Sequence, residues 1–211
     1  GSRQSRENIA KAKAKFAPGL KEPPMIIHKL RTFANHPFFI ETMVDRTAEA
    51  LQRIPEGRRS QAALVFTAHS VPVAMADSSG PGGTGRYVAE LAEAARLIAQ
   101  RTGGGRHRWT LAYQSRSGPP SQPWLGPDVN DHLGELAKSG TRAVVVIPVG
   151  FVSDHMEVRH DLDVEAARSA ESLGLAFARA ATPGTDPRFA SMITGLVRER
   201  LEPDTPPDAP V

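Results

Sequence analysis

Four short apolar runs, each followed by a stretch of helical periodicity, constrain this chain more than any other feature. The runs are 62–68 (AALVFTA), 109–114 (WTLAYQ), 143–149 (AVVVIPV) and 175–180 (LAFARA). Each is short and rich in β-formers, so each reads as a buried strand. Between and after them, apolar residues recur at helical spacing over 84–101, 129–139, 155–172 and 187–201. Strands that alternate with helices in this way predict an α/β fold with a doubly wound, four-stranded parallel sheet. In such sheets ligands bind outside the carboxyl ends of the strands. The first run ends in Thr67, Ala68, His69 and Ser70, the second in Gln114, Ser115 and Arg116, and the third leads through Gly150 to Glu157. His69, Arg116 and Glu157 are therefore predicted to converge on one crevice.

The third run opens the most informative stretch, 147–165 (IPVGFVSDHMEVRHDLDVE). Pro148 and Gly150 end the strand. Ser153 and Asp154 are good N-cap residues, and Glu157 falls three after Asp154, which predicts a helix start with a capping-box variant. Glu157, Asp161 and Glu165 then follow at intervals of four, placing three carboxylates in one column. Like charges at that spacing repel by about a few tenths of a kcal/mol per pair when exposed. Such a column is either solvated or held near a cation. His155 and His160 flank the acids.

Elsewhere, 5–16 (SRENIAKAKAKF) reads as an exposed helix, and Pro18, Gly19, Pro23 and Pro24 as a linker. Asn35-His36-Pro37 is a turn signal, with Pro37 suited to the first turn of a helix over 38–53. The glycine-rich 78–85 (SSGPGGTG) lacks the G-K-[ST] of a phosphate loop and is expected to be a flexible lid beside His69. The tail 203–211 (PDTPPDAPV) has the composition of a disordered segment. The expected organisation is a helical arm and linker over 1–36, an α/β domain over 37–202 and a disordered tail over 203–211.

Charge and composition narrow the partners. The net charge is +3, with no basic run interleaved with aromatics, so nucleic acid is not expected. No apolar stretch approaches a membrane span, and the default location is cytoplasmic. None of the 211 residues is cysteine, so these residues cannot hold a cysteine-ligated iron–sulfur cluster.

The pieces FTAHSVP (66–72), YQSRSGP (113–119), WLGP (124–127) and PVGFVSDHMEVRHDLDVE (148–165) resemble, in order and spacing, the C-terminal half of ferrochelatase. KLRTFANHPFFIE (29–41) and SRQSRENI (2–9) are similar to the middle of that family. The resemblance covers about residues 2 to 202. It implies an enzyme that inserts Fe²⁺, its substrate metal, into a porphyrin in heme biosynthesis. It also implies a catalytic and metal-holding pair, His69 and Glu157, and an acidic relay, Asp161 and Glu165, along a locally widened helix. Tyr113, Gln114, Ser115, Arg116 and Trp124 match the walls and rim of the porphyrin pocket, and His155 matches a structural position.

The chain departs from the family in three respects. The N-terminal half is absent, so a missing half or a homodimer partner is expected to supply the second wall of the cleft. Ser2 stands where some bacterial members carry a cluster-ligating cysteine. Arg159-His160 replaces a more usual Leu-Tyr pair.

The chemistry suits the residues. Neutral histidine is both a base near physiological pH and a ligand for Fe²⁺, and a carboxylate can share either task. Two other readings remain: a sirohydrochlorin-type cobalt or iron chelatase, which would use a pair of histidines for its metal, and a non-catalytic half that binds metal or porphyrin without turnover.

Overall fold

The structure, a computed structural model, describes residues 2–16, 28–119 and 121–202. The linker prolines and the Pro/Asp-rich tail lie outside the described residues. Four strands form one parallel sheet: β1 (Ala63–His69), β2 (Trp109–Gln114), β3 (Ala143–Ile147) and β4 (Ala176–Arg179), in the order β2-β1-β3-β4. Register is set by Ala68 opposite Tyr113 and His69 opposite Gln114 on one side of β1, and Phe66 opposite Ile147 on the other. All five residues of β3 are buried, as expected for an inner strand covered on both faces.

Two cores lie on the two faces of the sheet. One gathers the helices α2 (Pro37–Gln52), α5 (Arg86–Arg101) and α9 (Pro187–Leu201), through residues such as Ile40, Met43, Leu91, Ile98, Met192 and Leu196, against Leu64, Phe66 and Ile147. The other gathers α6 (Val129–Lys138) and the acidic helix, through Val129, Leu133, Val158, Leu162 and Ala166, against Val65, Val144 and Val146. The doubly wound α/β architecture is thus the observed one. Leu30 and Phe33 pack against the first core, and Arg31 holds Glu199 of α9 through paired contacts of 2.8 and 2.9 Å. The packed body therefore takes in residues ahead of α2. The helical reading of the opening segment is met by α1 (Ser2–Phe16).

At the start of α2 Pro37 takes the first turn, as its sequence suggests, where its missing N–H costs nothing, and Nδ1 of His36 accepts from the backbone N–H of Phe38. Two short helices that carry no clear periodicity, α3 (Glu56–Arg59) and α4 (Val73–Asp77), also form.

The strand order reverses between β1 and β3. The connection leaving β1 goes to one face and the one leaving β3 to the other, so a crevice opens between them at their carboxyl ends. The chain that leaves β1 carries His69, and the chain that leaves β3 carries Glu157.

Candidate functional site

His69 is the last residue of β1, at the rim of the crevice. Its Nδ1 contacts the carbonyl oxygen of Ser70, which can only accept, so Nδ1 carries a proton, and in the neutral ring Nε2 is the nitrogen with the lone pair. The backbone carbonyl of His69 is held from the other side: the Tyr87 hydroxyl donates to it over 2.9 Å. Burial pushes the Tyr87 phenol up to about 12, so it stays a donor across the physiological range. Tyr87 is itself seated by the glycine-rich segment, since its N–H donates to Oγ of Ser79 and Gly85 N donates to Asp77 O. That segment, expected to be a lid, is therefore tied into the turn between α4 and α5.

Nε2 of His69 lies 3.5 Å from Oε1 of Glu157. The side chains are 37% and 45% exposed, so the pair is open to a ligand from the crevice. Glu157 stands in the first turn of α7 (Met156–Val158). The cap is not the one the sequence suggests. The N-cap residue is His155, which makes no side-chain cap bond, and its ring packs edge-on against Phe151 at 5.5 Å. Asp154 is drawn away by Arg179 at the end of β4: Nη1 of Arg179 donates to Asp154 over 2.7 Å, and the Thr182 N–H reaches the same carboxylate at 3.4 Å. The guanidinium also grips Asp163 with two bonds of 2.7 and 2.8 Å. One arginine thus clamps the chain on both sides of Glu157. With its donors paired to two carboxylates, it is held even more firmly in its charged form.

Beyond Val158 the helix widens into a π segment, Arg159–Ala166, before resuming as α8 (Ala167–Ser172). The three acids then meet different neighbours. Asp161 is the most enclosed, with a side chain 15% exposed. It accepts from Oγ of Ser115 and, over 3.2 Å, from Nε2 of Gln114. Ser115 reaches it from a left-handed backbone conformation (φ 60°), which costs a non-glycine residue about 1–2 kcal/mol. Glu165 and Arg116 line one cavity with Asp161, His160, Gln114 and Ser115.

The predicted residues therefore divide. His69 and Glu157 meet directly, and Arg116 joins Asp161 and Glu165 in the neighbouring cavity, which His69 and Glu157 do not line. Tyr113 is only 4% exposed and packs in the first core. Trp124 is half-buried, paired across a bridge with Pro72. Its indole lies so close over Gly118 that any side chain there would collide with it. Sequence reasoning missed Tyr87 and Arg179. Arg179 lies within a predicted strand and ends β4, but nothing in its local sequence announces a partner in the loop after β3.

The fold and this pair define a doubly wound α/β protein with a histidine–carboxylate site at the switch point of its sheet. Comparison with known proteins gives the class a name. The ferrochelatase family model matches residues 1–201. Coproporphyrin III ferrochelatase of Frankia alni is 53% identical over 98% of this chain and 53% of its own length. The corresponding figures are 52%, 96% and 56% for the Nocardia farcinica protein of the same name, and 47%, 95% and 56% for that of Mycolicibacterium smegmatis. The chain belongs to the ferrochelatase family, and it spans about half the length of these curated relatives.

Proposed function

We propose that this chain carries the metal-handling half of a ferrochelatase that inserts Fe²⁺ into coproporphyrin III, with residues 37–202 as the chelatase domain and 1–36 as its arm. The observation that carries the reading is the His69–Glu157 pair. Two lone-pair groups face each other across 3.5 Å, with the imidazole tautomer fixed from behind. Such a pair wants a shared cation or proton. Insertion supplies both, because Fe²⁺ enters as two pyrrole protons leave. Nε2 of His69 is placed to ligate the iron or to take a pyrrole proton, and Glu157 can do the same. Neither binds as firmly as a thiolate, which suits an ion that must pass to the macrocycle.

The edge around the pair suits a flat apolar ring. Met156, beside Glu157, is 85% exposed, and Met75 of α4 and Val152 of the loop after β3 are also exposed. Large apolar side chains left in water at a polar site favour an apolar ligand. Arg116, which is exposed, would offer a cation for the ring's propionates, with Ser115 and Trp124 as further contacts of the ring in this reading. Tyr113 supports that wall from the core. Asp161 and Glu165 carry cations or protons between the pair and the surface. Coproporphyrin III is favoured over protoporphyrin because the relatives named above carry that substrate in their names. A sirohydrochlorin-type site would need a second histidine against His69; among the described residues His69 faces a carboxylate instead.

A macrocycle must be gripped on both faces, and these elements supply one wall. The second wall comes from protein beyond them, either the other half found in the relatives or a second copy of this chain. A cytoplasmic reaction is part of the same proposal. Among the described residues no helix is long and apolar enough to cross a membrane. An anaerobic iron-insertion assay tests the proposal. The 211-residue chain alone should insert iron slowly or not at all, and joining it to the N-terminal half of the Frankia alni relative should restore turnover. Full turnover by the isolated chain would refute the missing-wall reading and point to a homodimer.

A further inference from the structure

β1 outlasts its pairing with β3. The paired register on that side ends with Phe66 opposite Ile147. One further bond follows, from the Gly150 N–H to the carbonyl oxygen of Thr67 over 3.1 Å. In a parallel ladder the backbone groups of alternate residues face the same neighbour, so the carbonyl of His69 faces the side that Thr67 faces. No strand continues there to meet it. The Tyr87 hydroxyl, arriving from the first turn of α5, donates to that carbonyl over 2.9 Å in place of a ladder N–H.

The same peptide unit is held at its other end. The Ser70 N–H donates to the carbonyl oxygen of Gln114 over 2.7 Å, and Oγ of Ser70 donates to the carbonyl oxygen of Leu125 over 2.7 Å. The His69–Ser70 peptide plane is thus pinned by β2 on one side and by Tyr87 on the other. Its orientation governs the imidazole. The ring is set by the contact of Nδ1 with the carbonyl oxygen of Ser70, one residue on. If the plane turns, that carbonyl moves away from the ring and Nδ1 loses its acceptor. Tyr87 is well placed to prevent this, because its own N–H donates to Oγ of Ser79 over 2.8 Å and its ring packs against the first core.

We propose that Tyr87 is a positioning residue for His69: its hydroxyl stands in for the strand partner that β3 does not supply, and so keeps Nδ1 on the Ser70 carbonyl and Nε2 toward Glu157. The consequence for iron insertion rests on the function proposed above. The hold on the ring does not.

The test compares Tyr87→Phe, which removes the hydroxyl and keeps the ring in the core, with Thr102→Val. The second variant removes another hydroxyl bond, 2.8 Å to the carbonyl of Ile98, at the far end of α5, and controls for general loosening. The 211-residue chain is studied without metal or porphyrin at about pH 8.5, above the ordinary histidine range. Long-range ¹H–¹⁵N correlation reads the His69 tautomer, with the signal assigned by its loss in His69→Gln. In Tyr87→Phe the ratio of the Nδ1–H form to the Nε2–H form should fall at least about fivefold. Exchange of the Ser70 amide should rise at least about tenfold in the same variant. Thr102→Val should lower Tm and change neither. An unchanged tautomer ratio in Tyr87→Phe, whatever its Tm, would overturn the proposal, as would an equal change in Thr102→Val. Should Tyr87→Phe fail to fold by circular dichroism, Ser79→Ala, which removes the acceptor for the Tyr87 N–H, is read in the same way and should shift the ratio in the same direction; no shift there would overturn it. In the chain joined to the N-terminal half of the Frankia alni relative, Tyr87→Phe should lower kcat about tenfold and leave KM for coproporphyrin III within about twofold. A reoriented ring with unaltered kcat would support the hold of Tyr87 on His69 and contradict the catalytic reading of His69, so the two failures are distinguishable.

Discussion

Nε2 of His69 and Oε1 of Glu157 face each other across 3.5 Å, one carried by the end of β1 and the other by the first turn after β3. In the neutral ring with Nδ1 turned to the Ser70 carbonyl, both are acceptors. The pair is therefore incomplete without a proton or a metal between its members.

The carboxylates along the helix should be unequal. Glu157→Gln is expected to lower iron insertion by at least about a hundredfold in a two-walled enzyme, the lower end of what a positioned acid–base group contributes. Glu165→Gln should cost far less, because Glu165 lies in the neighbouring cavity. Steady-state rates for the two variants check the order, and equal small losses would return Glu157 to a purely structural role.

Arg179→Met should loosen the chain around Glu157 while sparing the sheet. The substitution keeps the apolar stem and removes both carboxylate contacts, to Asp154 and Asp163. Amide hydrogen exchange should rise over 152–158 and remain low in β1 and β3. Unchanged protection over that loop would remove Arg179 from the positioning of Glu157.

Gly118→Ala places a methyl group 2.2 Å from the ring of Trp124. Overpacking of that kind costs about 1–3 kcal/mol, which for a chain of this size lowers Tm by several degrees. The indole must shift, so the fluorescence of Trp124 should move in the same variant. An unaltered spectrum and Tm would show that the loop gives way without strain.

Acid should release one identifiable clamp. Asp186 caps α9 by accepting from the Arg188 N–H over 2.9 Å. The Arg188 guanidinium, hydrogen-bonded to the same carboxylate, together with Arg46 nearby, holds it from 3.8 down to about 2. A carboxyl whose folded pKa lies below its unfolded one adds stability above the unfolded value and loses it as pH falls through the folded one. The contribution of Asp186 is thus fully present above pH 4 and fades between about pH 4 and pH 2. Asp186→Asn should lower Tm at pH 7 and flatten the fall in Tm across that window. A parallel fall in both proteins would place the acid sensitivity elsewhere.

The sheet was legible because each strand is a short apolar run between breakers, and a parallel sheet buried on both faces leaves that mark in sequence. The crevice followed from topology, which sends His69 and Glu157 to the same edge. What the sequence hid were choices between competing partners. Asp154 has the right type and spacing for a cap, but Arg179 arrives from β4 and takes it. Tyr113 sits in a run apolar on both faces, so periodicity could not tell core from pocket. The approach of His160 to Glu165, with Nδ1 3.9 Å from Oε1, is invisible to an α-helical reading, because only the π segment brings those positions together.

The most direct test of the His69–Glu157 assignment is the anaerobic rate of Fe²⁺ insertion into coproporphyrin III. It is measured for this chain joined to the N-terminal half of the Frankia alni relative, with and without His69→Ala. If the pair carries the reaction, the variant stays folded and its rate falls by at least about a hundredfold. Insertion at close to the unsubstituted rate would contradict it.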